Sequence, residues 1–127
     1  MTNKLTEGEF QEIIRRRSEG VISFSEFLNE LYQRGINEYE IQVNTGRATY
    51  KGRYSDFKTD SQVSLVVADK FNRNKVLEAI ANISLPFLDF LKEIAEAGII
   101  KYCIDIGEKK VIYYGTGEEK IEEQLKI

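Results

Sequence analysis

Apolar residues in this chain recur first at helical and then at strand spacing, and that progression happens twice. Phe10, Ile13 and Ile14 form a short apolar face between residues 7 and 18, behind Thr6-Glu7-Gly8-Glu9. There the Thr6 hydroxyl and the Glu9 carboxylate fit a capping box, each satisfying a free backbone donor at the start of a helix. Ser23-Phe24-Ser25-Glu26 has the same form. Phe24, Phe27, Leu28, Leu31 and Tyr32 then fall at i, i+3, i+4, i+7 and i+8, a broad stripe that predicts a second helix buried along one side. Gly35 ends it, at the position beyond the cap where a left-handed backbone suits glycine, and Ile36 is expected to close against Leu31.

The period then changes to two. Tyr39, Ile41 and Val43 share one face and Glu38, Glu40 and Gln42 the other, as in a half-buried strand. Asn44-Thr45-Gly46 predicts a hairpin loop with Gly46 in its left-handed slot, and residues 47–51 return antiparallel with Ala48 and Tyr50 facing inward. A third strand is expected over residues 62–68.

Moving the stretch from Phe24 to Gly52 along by about sixty-three positions lays it on Phe87 to Gly115 with roughly ten identities, self-similarity of the kind that marks a repeated unit. Phe24/Phe87, Phe27/Phe90, Gly35/Gly98, Ile36/Ile99, Tyr39/Tyr102, Ile41/Ile104 and Tyr50/Tyr113 are among the matched pairs. A second set of elements follows. A helix is predicted over 72–82 with Val76, Leu77, Ile80 and Ile83 on its apolar side. Pro86 is expected in the first turn of the next helix, where its missing donor costs little. Gly98 would stop that helix, a hairpin would turn through Gly107-Glu108-Lys109, and a last strand would run over 119–127, a segment whose composition also suits a helix. The predicted fold is α+β: an internally duplicated α-α-β-β-β unit, about 6–68 and 69–127, forming a single domain with pseudo-two-fold symmetry. One six-stranded antiparallel sheet packed against helices is the preferred arrangement, and two small sheets sandwiching the helices the alternative.

Composition narrows the chemistry. The 127 residues include no histidine and one cysteine, Cys103. Without histidine there is no Ser-His-Asp triad and no Cys-His pair, and one thiol cannot build a thiolate zinc site, so neither metal nor cofactor is expected. A single cysteine and a polar start, with no long apolar run, point to the cytoplasm and away from a membrane. The net charge of −3 argues against a nucleic-acid partner, whose phosphates demand a basic footprint. The one dense basic run, Arg15-Arg16-Arg17, suits the negative end of the first helix.

Three stretches carry a family resemblance: Lys70-Phe71-Asn72-Arg73-Asn74; Phe87 through Phe90, Leu91, Ile94, Ala95 and Ala97 to Gly98-Ile99; and Tyr102, Asp105-Ile106 leading to Tyr113-Tyr114 and an acidic end. On these the chain resembles uncharacterised proteins labelled "phage envelope protein", among them the YbcV-like and YdfO-like prophage proteins. The resemblance implies an α+β domain with a phage or prophage connection. It implies no catalytic residues.

Two groups of side chains are candidates for binding. Tyr39, Tyr50, Tyr102 and Tyr113 recur in both hairpins, either as core aromatics of a sheet or as a cleft whose phenol hydroxyls grip a flat or polar ligand. Asn72, Arg73 and Lys75 stand at a strand-to-helix junction. There the two bases would hold an anion on the helix N-terminus, or Asn72 (or Asp69) simply caps the helix while they face water. Cys103 alternates away from the core face and lacks a base to activate it. The expected role is a non-enzymatic phage- or prophage-type accessory protein that binds a protein partner, itself a homodimer in one version. The alternative is a protein that sequesters a small anionic, aromatic or nucleotide ligand.

Overall fold

A computed structural model describes residues 5–82 and 85–125. The elements run α1 (Glu7–Ser18), α2 (Phe24–Gln33), β1 (Ile36–Gln42), β2 (Ala48–Gly52), β3 (Asp56–Lys58), α3 (Arg73–Ala81), α4 (Phe87–Glu96), β4 (Ile99–Asp105), β5 (Lys110–Gly115) and β6 (Lys120–Gln124). The six strands form one antiparallel sheet in the order β3-β2-β1-β4-β5-β6, which selects the single-sheet arrangement over two small ones.

Both capping boxes form. Thr6 and Ser23 accept from the backbone N–H groups of Glu9 and Glu26, whose carboxylates accept in return from the backbone N–H groups of Thr6 and Ser23. α2 and α4 end on Gly35 and Gly98, with φ of 93° and 87°. Asn72 and Asn82 cap α3, while Ile83, expected on its apolar side, lies outside the described residues. Pro86 occupies the N-cap of α4, one residue ahead of the first turn where it was expected; its extended backbone (ψ 153°) leads into the helix but does not belong to it.

The sheet registers repeat between the halves. Tyr39 faces Tyr50 and Ile41 faces Ala48; in the second hairpin Tyr102 faces Tyr113 and Ile104 faces Val111. Each long strand carries an irregularity two residues into its pairing, between Ile36 and Glu38 and between Ile99 and Lys101. At the centre β1 lies antiparallel to β4 with Glu40 opposite Cys103, the residue that corresponds to it under the repeat offset. Tyr39 and Ile41 accordingly face Ile104 and Tyr102.

Residues 62–68 are not a strand. β2 is instead edged by β3, which returns immediately after a bend at 53–55, and Phe57 of that short strand stacks on Phe10 at 4.7 Å. The alternation that suggested a strand is real: Val63, Leu65 and Val67 are half-buried while Val66 is 91% exposed. The extended segment spends its hydrogen bonds elsewhere, with Leu65 N–H donating to Asn44 O at 2.8 Å and Ala68 N–H to Ala95 O at 2.9 Å. It thereby ties the first hairpin to the end of α4. The final strand is shorter than expected, and residues 126–127 lie outside the described part.

All four helices pack on one face of the sheet. α2 rests on β1 and α4 on β4, with α1 flanking α2 and α3 flanking α4. Apolar side chains of alternate strand positions point into this layer, and no charged side chain is buried there among the described residues. The opposite face carries Glu38, Glu40, Lys51, Lys101 and Lys110.

Candidate functional site: a tyrosine-floored cleft

Aromatic residues from the helices cover each half of the sheet, with Phe10 of α1 edge-on to Tyr50 at 5.0 Å in the first half. Phe27 of α2 stands edge-on to Tyr39 and Tyr50, both at 6.4 Å, and Phe90 of α4 stands edge-on to Tyr102 at 5.9 Å and Tyr113 at 6.4 Å. Beneath them the cross-strand pairs Tyr39/Tyr50 and Tyr102/Tyr113 lie 4.6 and 5.3 Å apart. Over the middle strands a cleft of about 1320 Å³ opens. That is somewhat larger than the roughly 300–1,000 Å³ of ordinary ligand pockets.

Tyr39, Ile41, Ala48, Tyr50, Tyr102 and Ile104 form its floor. One wall is α1, through Glu7, Gln11, Ile14, Arg17 and Ser18, with Phe24 and Phe27 of α2 beside it. Residues 58–60 and 62 border one end, and Pro86, Phe87, Leu88 and Asp89 at the start of α4 close the other side. Phe87 and Leu88 remain 39% and 43% exposed, apolar surface turned toward open space.

The phenol hydroxyls decide the character of this floor. Burial, and secondarily the neighbouring tyrosines (Tyr50 first for Tyr39, Tyr113 first for Tyr102), pushes the Tyr39 and Tyr102 hydroxyls well above the ordinary phenol range. Burial likewise raises Tyr50 and Tyr113. All four therefore stay protonated at neutral pH, as uncharged groups that can each donate and accept. Tyr39 and Tyr102 are only 3% and 5% exposed, yet among the described residues neither hydroxyl, nor that of Tyr50, has a hydrogen-bond partner. Nor are these oxygens sealed off: the one side-chain polar atom found fully enclosed and unpartnered among the described residues is Arg34 Nε. Polar atoms in so apolar a setting seek partners, and here the cleft is where partners can arrive.

Three of the four predicted tyrosines thus line one cavity. Tyr113 does not border it; it packs under Phe90 against Tyr102. Asn72, Arg73 and Lys75 lie apart from it. Asn72 Oδ1 accepts from Lys75 N–H at 3.1 Å, which is the capping role, and Lys75 Nζ pairs with Glu96 at 2.9 Å; Arg73 is exposed. Cys103 is on the outer face of the sheet, its thiol donating to Glu40 Oε1 at 3.5 Å. Burial first, and then the neighbouring Glu40 carboxylate, pushes that thiol up to about 11, away from any nucleophilic role. Burial works to raise Glu40 itself, but the ammonium of Lys101 outweighs it and holds the carboxyl below its usual range. Among the described residues no three His, Cys, Asp or Glu side chains gather as a metal site, and no helix is long and apolar enough to cross a membrane.

Sequence reasoning missed Arg17 and the two helix-start phenylalanines, Phe24 and Phe87. A signal for Arg17 was present. Arg15 has Glu12 and Glu19 at helical spacing and pairs with both, and Arg16 reaches Glu30 as well as Glu12. Arg17 has Ile13, Ile14, Gly20 and Val21 at those spacings, so the i, i+3 and i, i+4 rule leaves it without an acidic neighbour on its own helix.

A family model described as "Protein of unknown function (DUF1398)" matches residues 11–123. No curated protein matches the chain.

Proposed function

We infer the role of this chain, which belongs to the DUF1398 family of proteins of unknown function, from the cleft it builds: it binds a small ligand there without transforming it. The observation that carries this reading is the row of nearly buried phenol hydroxyls of Tyr39, Tyr50 and Tyr102 on the floor of one cavity, without hydrogen-bond partners among the described residues. A sheet core has no use for such atoms; phenylalanine would fill the same volume without the cost of desolvating a hydroxyl. A ligand that accepts from or donates to them repays that cost. Neutral phenols and the lack of histidine in the sequence favour holding over proton transfer. The resemblance to phage-related proteins supplies the setting we propose, an accessory protein whose working surface is this cleft. The matched hairpin registers support, as part of the same reading, descent of both halves from one α-α-β-β-β unit.

Thermal-shift screening of metabolite classes tests the proposal. A ligand at a hundred times its Kd adds about 2.7 kcal/mol, which for a domain of this size moves Tm by roughly 10 °C. Gln11→Trp, at an exposed position on the α1 wall, is expected to abolish the shift without lowering the Tm of the free protein. Mass spectrometry of the recovered ligand should find it unchanged. No stabilisation by any class, or stabilisation indifferent to Gln11→Trp, would sink the reading.

A further inference from the structure

We propose that the ligand is an aromatic monoanion, with its charged group held by Arg17 and its ring packed in the aromatic enclosure formed by Phe24, Phe27 and Phe87. This rests on the binding role inferred above and adds the class of molecule bound. The first ground is how the arginines of α1, and Arg34 at the end of α2, are paired. Arg15, Arg16 and Arg34 each hold a carboxylate: Glu12 and Glu19, Glu30, and Glu9. Arg17 holds none among the described residues, although it stands in the same helical turn. Its Nη1 donates to Ile22 O at 3.3 Å, and its guanidinium lies 5.6 Å from the centre of the Phe24 ring. A guanidinium carries five N–H donors, so most of them remain free beside the cleft that Arg17 lines.

The Arg17 guanidinium has contacts on two sides. The backbone carbonyl of Ile22 and the face of Phe24 orient the planar group, which lowers the entropy lost when a ligand oxygen joins it. Arg17 is also the cation whose charge reaches the Tyr39 hydroxyl and opposes the upward push on it. The positive charge therefore acts on the aromatic floor from the α1 wall. Lys58, the other cation on the lining, is exposed beside Asp60 in the bordering segment.

The remaining charges set the limit of one negative group. Glu7, Asp60 and Asp89 also border the cleft, all exposed, and Glu7 accepts from Gln11 Nε2 at 3.0 Å. A phosphate ester or dicarboxylate would bring a second charge toward these carboxylates. A single carboxylate or sulfonate on a ring satisfies Arg17 and leaves the rest of the molecule apolar, matching the phenyl rings above and the tyrosines below. Polar ring substituents have the phenol hydroxyls to meet.

The test uses two fluorescent probes that share a ring system. 8-Anilinonaphthalene-1-sulfonate carries one negative group, and N-phenyl-1-naphthylamine is the same skeleton without it. Wild-type protein is expected to bind both in the cleft, with Gln11→Trp excluding both. Arg17→Leu, at an exposed position, should weaken the sulfonate about ten- to a hundredfold, the loss of a charge-assisted hydrogen bond, and leave the neutral probe within about twofold. Added salt should weaken the sulfonate in the wild type and have little effect in Arg17→Leu. Equal weakening of both probes, or an unchanged sulfonate affinity, overturns the anion assignment while the cleft reading stands. Failure of the sulfonate alone to bind also overturns the anion assignment, and failure of both probes, or binding that Gln11→Trp does not block, overturns both readings.

Discussion

Gly35 and Gly98 offer a controlled comparison, because they end corresponding helices with nearly the same backbone, φ 93° and 87°, but in different surroundings. A Cβ at position 35 would meet nothing closer than Arg53 Cβ at 3.6 Å, ordinary contact. At position 98 it would lie 2.6 Å from Lys70 O and 2.9 Å from Phe71 Cα, both backbone atoms that cannot rotate away. That strip of backbone is pinned to the end of α4 by the bond from Asn72 N–H to Ala97 O at 2.8 Å. An alanine forced into left-handed geometry costs about 1–2 kcal/mol, and it recovers about 0.4–1 by restricting the unfolded chain. Gly35→Ala is therefore expected to lose about 1 kcal/mol. Gly98→Ala adds overpacking of about 1–3 kcal/mol, for a total of about 2–4. With a urea m-value of about 1.5 kcal/mol/M, the midpoints should fall by about 0.7 M and about 2 M. Equal losses in the two variants would show that the chain does not pass so close to Gly98, and with that the path of residues 68–72 over α4 would be wrong.

Lys109 takes a left-handed backbone, φ 55°, in the turn of the second hairpin, where the first has Gly46 at φ 74°. Lys109→Gly relieves that strain at some cost in unfolded-state entropy and should raise the urea midpoint, by a few tenths to about 1 kcal/mol in stability; a loss would argue against the turn. Stability should also fall in alkali. The buried phenols of Tyr39, Tyr50, Tyr102 and Tyr113 titrate above 10.0 in the folded chain, and Cys103 near 11 in place of 9.0. Between those values the unfolded chain binds fewer protons than the folded one, so the stability is fully present below pH 9 and declines as pH rises, by up to about 1.4 kcal/mol per pH unit for each group. Urea midpoints measured from pH 8 to 11 check this: a flat profile would contradict the burial of the phenols, and Tyr39→Phe with Tyr102→Phe should make the decline shallower.

Local signals fixed most of the elements. Capping residues, the two stop glycines and the alternation of Tyr39, Ile41 and Val43 each act within a few residues, and all four helices and both long hairpins follow from them. The third strand of the first half did not, because alternation reports an extended chain with one buried side, not its hydrogen-bond partner. Residues 62–68 satisfy the same pattern by leaning on α4. Three-residue β3 was too short to show a period, and its Phe57 is identified as core only by Phe10 lying across it. Of the site, the tyrosines were legible as repeated inward-facing positions. Whether they meet solvent or a sealed core depends on how far apart the two helix pairs, α1/α2 and α3/α4, stand, a distance no local pattern encodes. At the start of α3 the structure shows the capping alternative, with Asn72 as the cap and Lys75 paired with Glu96.

The two sides of the cleft are not alike, although the hairpins beneath them are. α1 contributes Glu7, Gln11 and Arg17, while none of the described residues of α3 borders the opening. A pair of identical subunits would offer its guest two equal mouths and two interchangeable poses. A single polypeptide carrying both halves is free of that constraint, and the guest proposed above would enter head first in one direction, its charged end toward α1.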